Sequence, residues 1–271
     1  MSAEALPPLL LVGCGKMGGA MLAGWLENGL TDAVVVEPHA PAAAAFAGRV
    51  TVVDSPAAIP AGFRPGAAVL AIKPQEAQAT LPAFASLAGP ETLFISIMAG
   101  RSTGGMRALL GEGARIVRAM PNTPAAVRQG FTVAFPGPGV DASQRALADR
   151  LLSSIGETAW VEEEGLIDPV TAVSGGGPAY VFLLAELMEA AAIEQGLPPD
   201  LARRMARATV AGSGALLAAS AEDSAQLRKN VTSPKGTTER ALAVLMASEA
   251  WPALMSRAIA AATERSRELG G

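Results

Sequence analysis

The stretch Leu9-Leu-Leu-Val-Gly-Cys-Gly-Lys-Met-Gly18 decides the fold. Four apolar residues lead into glycines at 13, 15 and 18, and a run with helical spacing follows. A strand that enters a helix through Gly-x-Gly-x-x-Gly is the first turn of a βαβ unit. Gly13 permits the tight turn, Gly15 lets backbone amides approach a pyrophosphate, and Gly18 lets the helix pack closely on the sheet. The helix N-terminus adds partial positive charge at the same place. Glu37 ends the next β-branched run, where a carboxylate accepts hydrogen bonds from an adenosine ribose. The pattern therefore specifies a dinucleotide site containing Gly13, Cys14, Gly15, Lys16, Met17, Gly18 and Glu37. A carboxylate at 37 repels a 2′-phosphate, and no Lys or Arg follows it closely. Of its near neighbours only His39 offers a cation, which tilts the reading toward NAD over NADP.

Outward from this unit, short β-branched runs alternate with Ala-rich helical patterns as far as residue 160, the rhythm of a parallel sheet with crossover helices. The expected strands are Leu9–Val12, Ala33–Glu37, Val50–Val53, Ala68–Ile72, Leu93–Ile97, Ile116–Arg118 and Thr132–Phe135. Beyond Val161 the rhythm stops, and helices separated by the breakers Ser174–Pro178, Gly196–Pro199, Thr232–Gly236 and Trp251-Pro252 take over. The fold class is α/β: a Rossmann-type doubly wound sheet over 1–160, then an all-α domain over 161–271. Residues 1–160 carry 11 basic and 11 acidic side chains, and 161–271 carry 10 and 14, so the net charge also changes at this boundary. The helix expected over Pro178–Gln195 has apolar residues around most of its circumference: Val181, Leu184, Met188 and Ala191 on one stripe, Phe182, Leu183, Leu187 and Ile193 on another. Such a helix is buried on several sides, and a homodimer through the C-terminal helices is the economical way to bury it.

Composition removes several classes of function. With 21 basic against 25 acidic residues and 4% aromatic content, there is neither a basic footprint nor a set of stacking rings for nucleic acid. A hydrophobic share of 50% and a mean hydropathy of +0.33 exclude a disordered chain. The single cysteine, Cys14, forms no intrachain disulfide and no Cys-x-x-Cys pair, and the single histidine, His39, makes no His-rich metal site and no hydrolase triad. No metal site is expected. Met1–Pro8 lacks a basic region followed by an apolar run, and no uncharged apolar run reaches the about 18–20 residues of a spanning helix. The chain reads as soluble and cytoplasmic, with no membrane partner.

Dinucleotide binding does not name a reaction. The only tyrosine, Tyr180, has Leu184 four residues on, so the Tyr-x-x-x-Lys pair of short-chain dehydrogenases is absent. The 3-hydroxyacid dehydrogenases share the two-domain layout but carry a lysine after a Gly-rich turn, and Pro178–Glu186 has none. Lys73, before Pro74, follows the strand Ala68–Ile72 at the ligand-binding edge of the sheet. Asn122 and Thr123 follow Pro121 in a loop after another strand. In Ser233-Pro-Lys-Gly-Thr-Thr238, Pro234 and Gly236 shape a turn before a helix over Glu239–Met246. Free amides of about Gly236 to Thr238, with the Ser233 and Thr237 hydroxyls, then form a place for a carboxylate; N-capping by Thr237 is the structural alternative.

Five stretches together resemble the pyrroline-5-carboxylate reductase family over essentially the whole chain. They are the Gly13–Gly18 loop, Ala71-Ile-Lys-Pro74, Arg118-Ala-Met-Pro-Asn-Thr-Pro124, Ala172-Val-Ser-Gly-Gly-Gly-Pro-Ala-Tyr180 and Leu227-Arg-Lys-Asn-Val-Thr-Ser-Pro-Lys-Gly-Thr-Thr238. The resemblance implies NAD(P)H-dependent hydride transfer to a cyclic imine, giving L-proline; the expected assembly is a homodimer, with a higher oligomer of dimers left open. It implies Ala71, Lys73, Pro74, Asn122 and Thr123 as coenzyme contacts, Gly177, Asn230, Ser233, Gly236 and Thr237 as substrate contacts, and Thr238 as the hydroxyl that orients the substrate nitrogen. An imine protonated in solution brings its own proton, so the lack of a site His or Tyr acid accords with this reading. The chain departs from the family pattern at Gly176, where many members have Ser, and at Ala221, where some have an acidic residue; here Glu222 stands beside it. Two other readings stand beside this one at the level of sequence: a 3-hydroxyacid dehydrogenase-like oxidoreductase, and a non-catalytic nucleotide-binding regulator.

Overall fold

Alternating side chains on a strand point to opposite faces, and here both sets are apolar, so the sheet must be covered twice. In the computed structural model, which describes residues 5–270, Leu9, Leu11, Val35, Ala67, Val69, Leu93 and Ile95 face one buried layer with Met21, Leu22, Trp25, Leu151 and Leu152. Leu10, Val12, Val34, Val36, Ala68, Leu70 and Phe94 face the other, against Leu81, Phe84, Met106 and Leu110. The eight strands are β1 (Leu9–Val12), β2 (Ala33–Val36), β3 (Thr51–Val53), β4 (Ala67–Leu70), β5 (Leu93–Ser96), β6 (Arg115–Met120), β7 (Gly130–Pro136) and β8 (Gly156–Trp160), in the spatial order β3-β2-β1-β4-β5-β6-β7-β8.

Strand order reverses between β1 and β4. The chain first builds outward through β2 and β3, then returns to the other side of β1, and such a switch point opens a crevice beyond the carboxyl ends of the strands. The expectation of an all-parallel sheet needs correction at one place, because β7 runs antiparallel to β6. The connection after Met120 contains only the short 3₁₀ turn Thr123–Val127, too little chain for a crossover. β8, parallel to β7 through the helix Ala142–Ser153, was absent from the expected strands.

The chain folds as two units, and they do not divide at residue 160. The first runs through Gly175 and includes the C-terminal segment from Ala262; the second is Gly176–Ala261. Charge pairing explains why the segment after β8 stays with the sheet. The guanidinium of Arg118 on β6 lies 3.4 Å from both Glu164 and Asp168, Glu164 also accepts from the Thr103 amide at 2.7 Å, and Ser266 donates to Asp168 at 2.8 Å.

Ser174–Pro178 is not a helix breaker. The helical path continues from Ile167–Val170 through a π turn at Thr171–Gly175 into the helix Gly177–Glu194. A Cβ at Gly175 would sit 2.8 Å from Cε of Met120, the end of a flexible side chain that can turn aside. The run Glu164–Glu194 is also long and apolar enough to cross a membrane by length and composition, although Asp168 and Glu186 bound its longest uncharged stretch. In the single chain no residue of Gly177–Glu194 is buried, with Phe182 67% and Leu187 57% exposed. The second unit continues with the helices Pro199–Ala219, Ser224–Asn230 and Thr237–Leu245, and with the first part of Trp251–Gly270.

Candidate functional site

The glycine loop lies at the β1/β4 switch point. Gly13 has φ +90°, and a Cβ there would come within 2.7 Å of the Ala71 carbonyl oxygen just past β4. A Cβ at Gly18 would overlap the Gly13 carbonyl oxygen and lie 3.2 Å from Cβ of Ala71, so this glycine lets the helix α1 (Lys16–Glu27) sit against the sheet. Gly15 differs from both, because a Cβ there meets nothing within 4 Å and points into open space. The first intrahelical bond of α1 is donated by Gly19 to the Gly15 carbonyl, leaving the amides of Lys16, Met17 and Gly18 without an intrahelical acceptor. Open space over Gly15, uncommitted amides and a helix N-terminus fit the pyrophosphate of a dinucleotide.

Glu37 follows β2 directly, and both of its carboxylate oxygens are held: one reaches the glycine loop and accepts from the Cys14 amide at 2.7 Å, the other accepts from the His39 amide just after it at 2.9 Å. His39 thus contributes its backbone to this corner. Burial, and secondly the Glu37 charge, push the Cys14 thiol up to about 11, which keeps it protonated and unreactive at neutral pH. Lys73 is exposed, and its amide donates to Glu76 across the first turn of Pro74–Glu76.

Asn122 is committed within the protein. Its Oδ1 accepts from the Phe131 amide at 2.9 Å and its Nδ2 donates to the Ser174 hydroxyl at 3.1 Å, so the side chain braces the loop before β7 against the π turn. Thr123 beside it is exposed. Sequence reasoning missed Arg128, which holds the end of this loop in the left-handed region at φ +59°. It makes a two-pronged pair with Glu27 at 2.8 and 3.0 Å and a third bond to the Ala20 carbonyl, tying the loop to α1. That pairing holds the Glu27 carboxyl below its usual range. A lone arginine in a loop carries no sequence signal for a partner 101 residues away.

In the helical unit the segment Ser233–Thr238 is a turn running into a helix. The Gly236 amide donates to the Ser233 carbonyl at 3.0 Å, and Lys235 takes φ +59°. A Cβ at Gly236 would be 2.9 Å from that carbonyl. The helix starts at Thr237 with Gly236 as cap, two residues before the expected Glu239, and no side chain caps it. N-capping by Thr237 is therefore set aside. The exposed hydroxyls of Thr237 and Thr238 stand beside amides that precede the first helical bond, Arg240 to Gly236. The amide of Asn230 is spent locally, donating to Glu222 at 2.8 Å and accepting from Gln226 at 2.8 Å. Gly177 begins its helix with nothing within 4 Å of where a Cβ would stand. Among the described residues no group of three or more His, Cys, Asp and Glu side chains is placed to hold a metal ion.

A doubly wound sheet whose glycine loop sits at the switch point, followed by a helical unit with exposed apolar helices, defines a two-unit NAD(P)-dependent oxidoreductase. Residues 9–100 match the family described as NADP oxidoreductase, coenzyme F420-dependent, and residues 164–269 match pyrroline-5-carboxylate reductase dimerisation. The chain is 38% identical to the pyrroline-5-carboxylate reductase of Pseudomonas aeruginosa over 97% of each chain. The solved structure of the reductase from Coxiella burnetii superposes with a TM-score of 0.89 at 31% identity, covering 98% of this chain and 99% of that one. That of the Plasmodium falciparum enzyme with NADP bound superposes with 0.84 at 26% identity, covering 99% and 100%. The chain belongs to the pyrroline-5-carboxylate reductase family.

Proposed function

We propose that this protein reduces L-1-pyrroline-5-carboxylate to L-proline with NAD(P)H. The observation that carries the reading is the end-to-end match to a reductase of that name, 38% identical over 97% of each chain. The reduced coenzyme, when bound, supplies a hydride for the C=N carbon. Everything else follows from this chain's residues. The amides of Lys16, Met17 and Gly18 and the open space over Gly15 receive the pyrophosphate, and the loop bearing Asn122 and Thr123 borders the nicotinamide end. The amides after Gly236, with the Ser233 and Thr237 hydroxyls, receive the substrate carboxylate, which the positive end of the helix Thr237–Leu245 stabilises. The imine nitrogen enters protonated from solution. Thr238 orients it by hydrogen bonding, and after hydride addition that nitrogen keeps its proton as an amine, so no side chain has to serve as a strong acid. Asn230 positions the substrate segment by its bonds to Glu222 and Gln226.

The protein is a homodimer. The outward Val181, Phe182, Leu183 and Leu187, all on the dimerisation segment, are covered by a second copy, and the same contact accounts for the apolar character of the run Glu164–Glu194. A cytoplasmic location accords with the single, buried, unoxidised cysteine.

The purified protein is expected to oxidise reduced coenzyme in the presence of pyrroline-5-carboxylate, read at 340 nm, with proline identified chromatographically. Thr238→Ala should lower kcat on the order of 10–100-fold with coenzyme Kd unchanged, as expected for one lost orienting bond. Turnover of hydroxyacids alone, or coenzyme binding without any turnover, would overturn the reading.

A further inference from the structure

We infer that Glu37 makes this enzyme prefer NADH over NADPH, an inference that rests on the coenzyme part of the reading above. A carboxylate at the end of the second strand excludes a 2′-phosphate only if it cannot swing away, and a sequence alone leaves that freedom open. Here both oxygens are held: Oε2 by the Cys14 amide at 2.7 Å, Oε1 by the His39 amide at 2.9 Å. Turning the side chain outward would break two charge-assisted bonds and leave the loop amide of Cys14, a buried residue, without its acceptor. Each oxygen keeps a free lone pair, which suits the two hydroxyls of an unmodified ribose.

Along the chain after Glu37 no lysine or arginine stands close. From Glu37 the chain runs Pro-His-Ala-Pro-Ala-Ala-Ala-Ala-Phe-Ala-Gly before the next cation, Arg49, whose charge acts on Glu27. A 2′-phosphate carries about −1.5 to −2 charges at neutral pH and would meet a carboxylate held in place by two amides.

The test measures equilibrium binding, by quenching of protein fluorescence, for NADH, NADPH, AMP and 2′-AMP, without substrate. NADH is expected to bind at least about tenfold more tightly than NADPH, with AMP over 2′-AMP in the same direction. In Glu37→Gln and Glu37→Ser the ratio should shift toward NADPH by about tenfold or more, while thermal melting reports whether the loop still folds. Tighter binding of NADPH to the unaltered protein, or an unchanged ratio in both folded variants, would overturn the inference. If neither coenzyme binds, the coenzyme reading itself fails; if binding discriminates but pyrroline-5-carboxylate is not reduced, only the reductase assignment fails.

Discussion

Two alanine substitutions three residues apart should separate what the glycine loop does for the fold from what it does for the ligand. At Gly18 the new methyl would overlap the Gly13 carbonyl oxygen and press on Ala71 at 3.2 Å; the obstacle is backbone, so relief requires moving α1 away from β1 and β4. Overpacking of this kind costs about 2–3 kcal/mol, and at about 2–4 °C per kcal/mol for a unit of this size melting should fall by roughly 5–10 °C. At Gly15 the methyl meets no protein atom within 4 Å, and φ −66°, ψ −166° is open to any residue. Gly15→Ala should therefore melt within about 2 °C of the parent, helped by the smaller conformational freedom of its unfolded chain. The same methyl occupies the space that the pyrophosphate needs, so NADH Kd should rise at least about tenfold. Differential scanning calorimetry and fluorescence titration read the two quantities independently. Unchanged NADH affinity in Gly15→Ala, or unchanged melting in Gly18→Ala, would refute the division of labour.

Leu187→Glu places a charge on an outward face of Gly177–Glu194, and light scattering should report a monomer at concentrations where the parent is a dimer. Alkylation of Cys14 by iodoacetamide at pH 8 should run about 100-fold slower than in the unfolded chain from thiolate population alone; parity between the two would show that the thiol is neither buried nor opposed by Glu37. Because that group is shifted upward from 9.0 to about 11, its linkage leaves stability unchanged below about pH 9. Stability then falls as the unfolded thiol ionises first, between those two values. Arg128→Gly should unfold at higher denaturant concentration than Arg128→Ala, by about 1 kcal/mol: both lose the Glu27 and Ala20 contacts, but only glycine relieves the left-handed φ of +59°.

Much of the fold is written locally. β1 was legible residue for residue, because four consecutive apolar side chains followed by glycine leave few other ways to bury both faces of a strand. β8 was not, because Gly156-Glu-Thr-Ala-Trp160 is short and only partly buried; it becomes a strand by pairing with β7. The π turn at Thr171–Gly175 was hidden by three glycines that read as a break, whereas the turn is packed against the sheet unit, with the Ser174 hydroxyl accepting from Asn122. The amide of Asn122 read as available to a ligand, yet Ser174, 52 residues on, and Phe131 claim it.

The sequence by itself determined the α/β class, the glycine loop at the first βα turn and the helical character of the C-terminal half, since each is encoded in residues within a few positions of one another. Only the tertiary structure decided that β7 reverses, that the segment after β8 stays with the sheet through Arg118, and that Glu37 is held in place by two amides. Periodicity and turn chemistry act along the chain and can be read from it. The choice of a hydrogen-bond or ion-pair partner across tens of residues is made by packing, which brings those groups together after the local elements have formed.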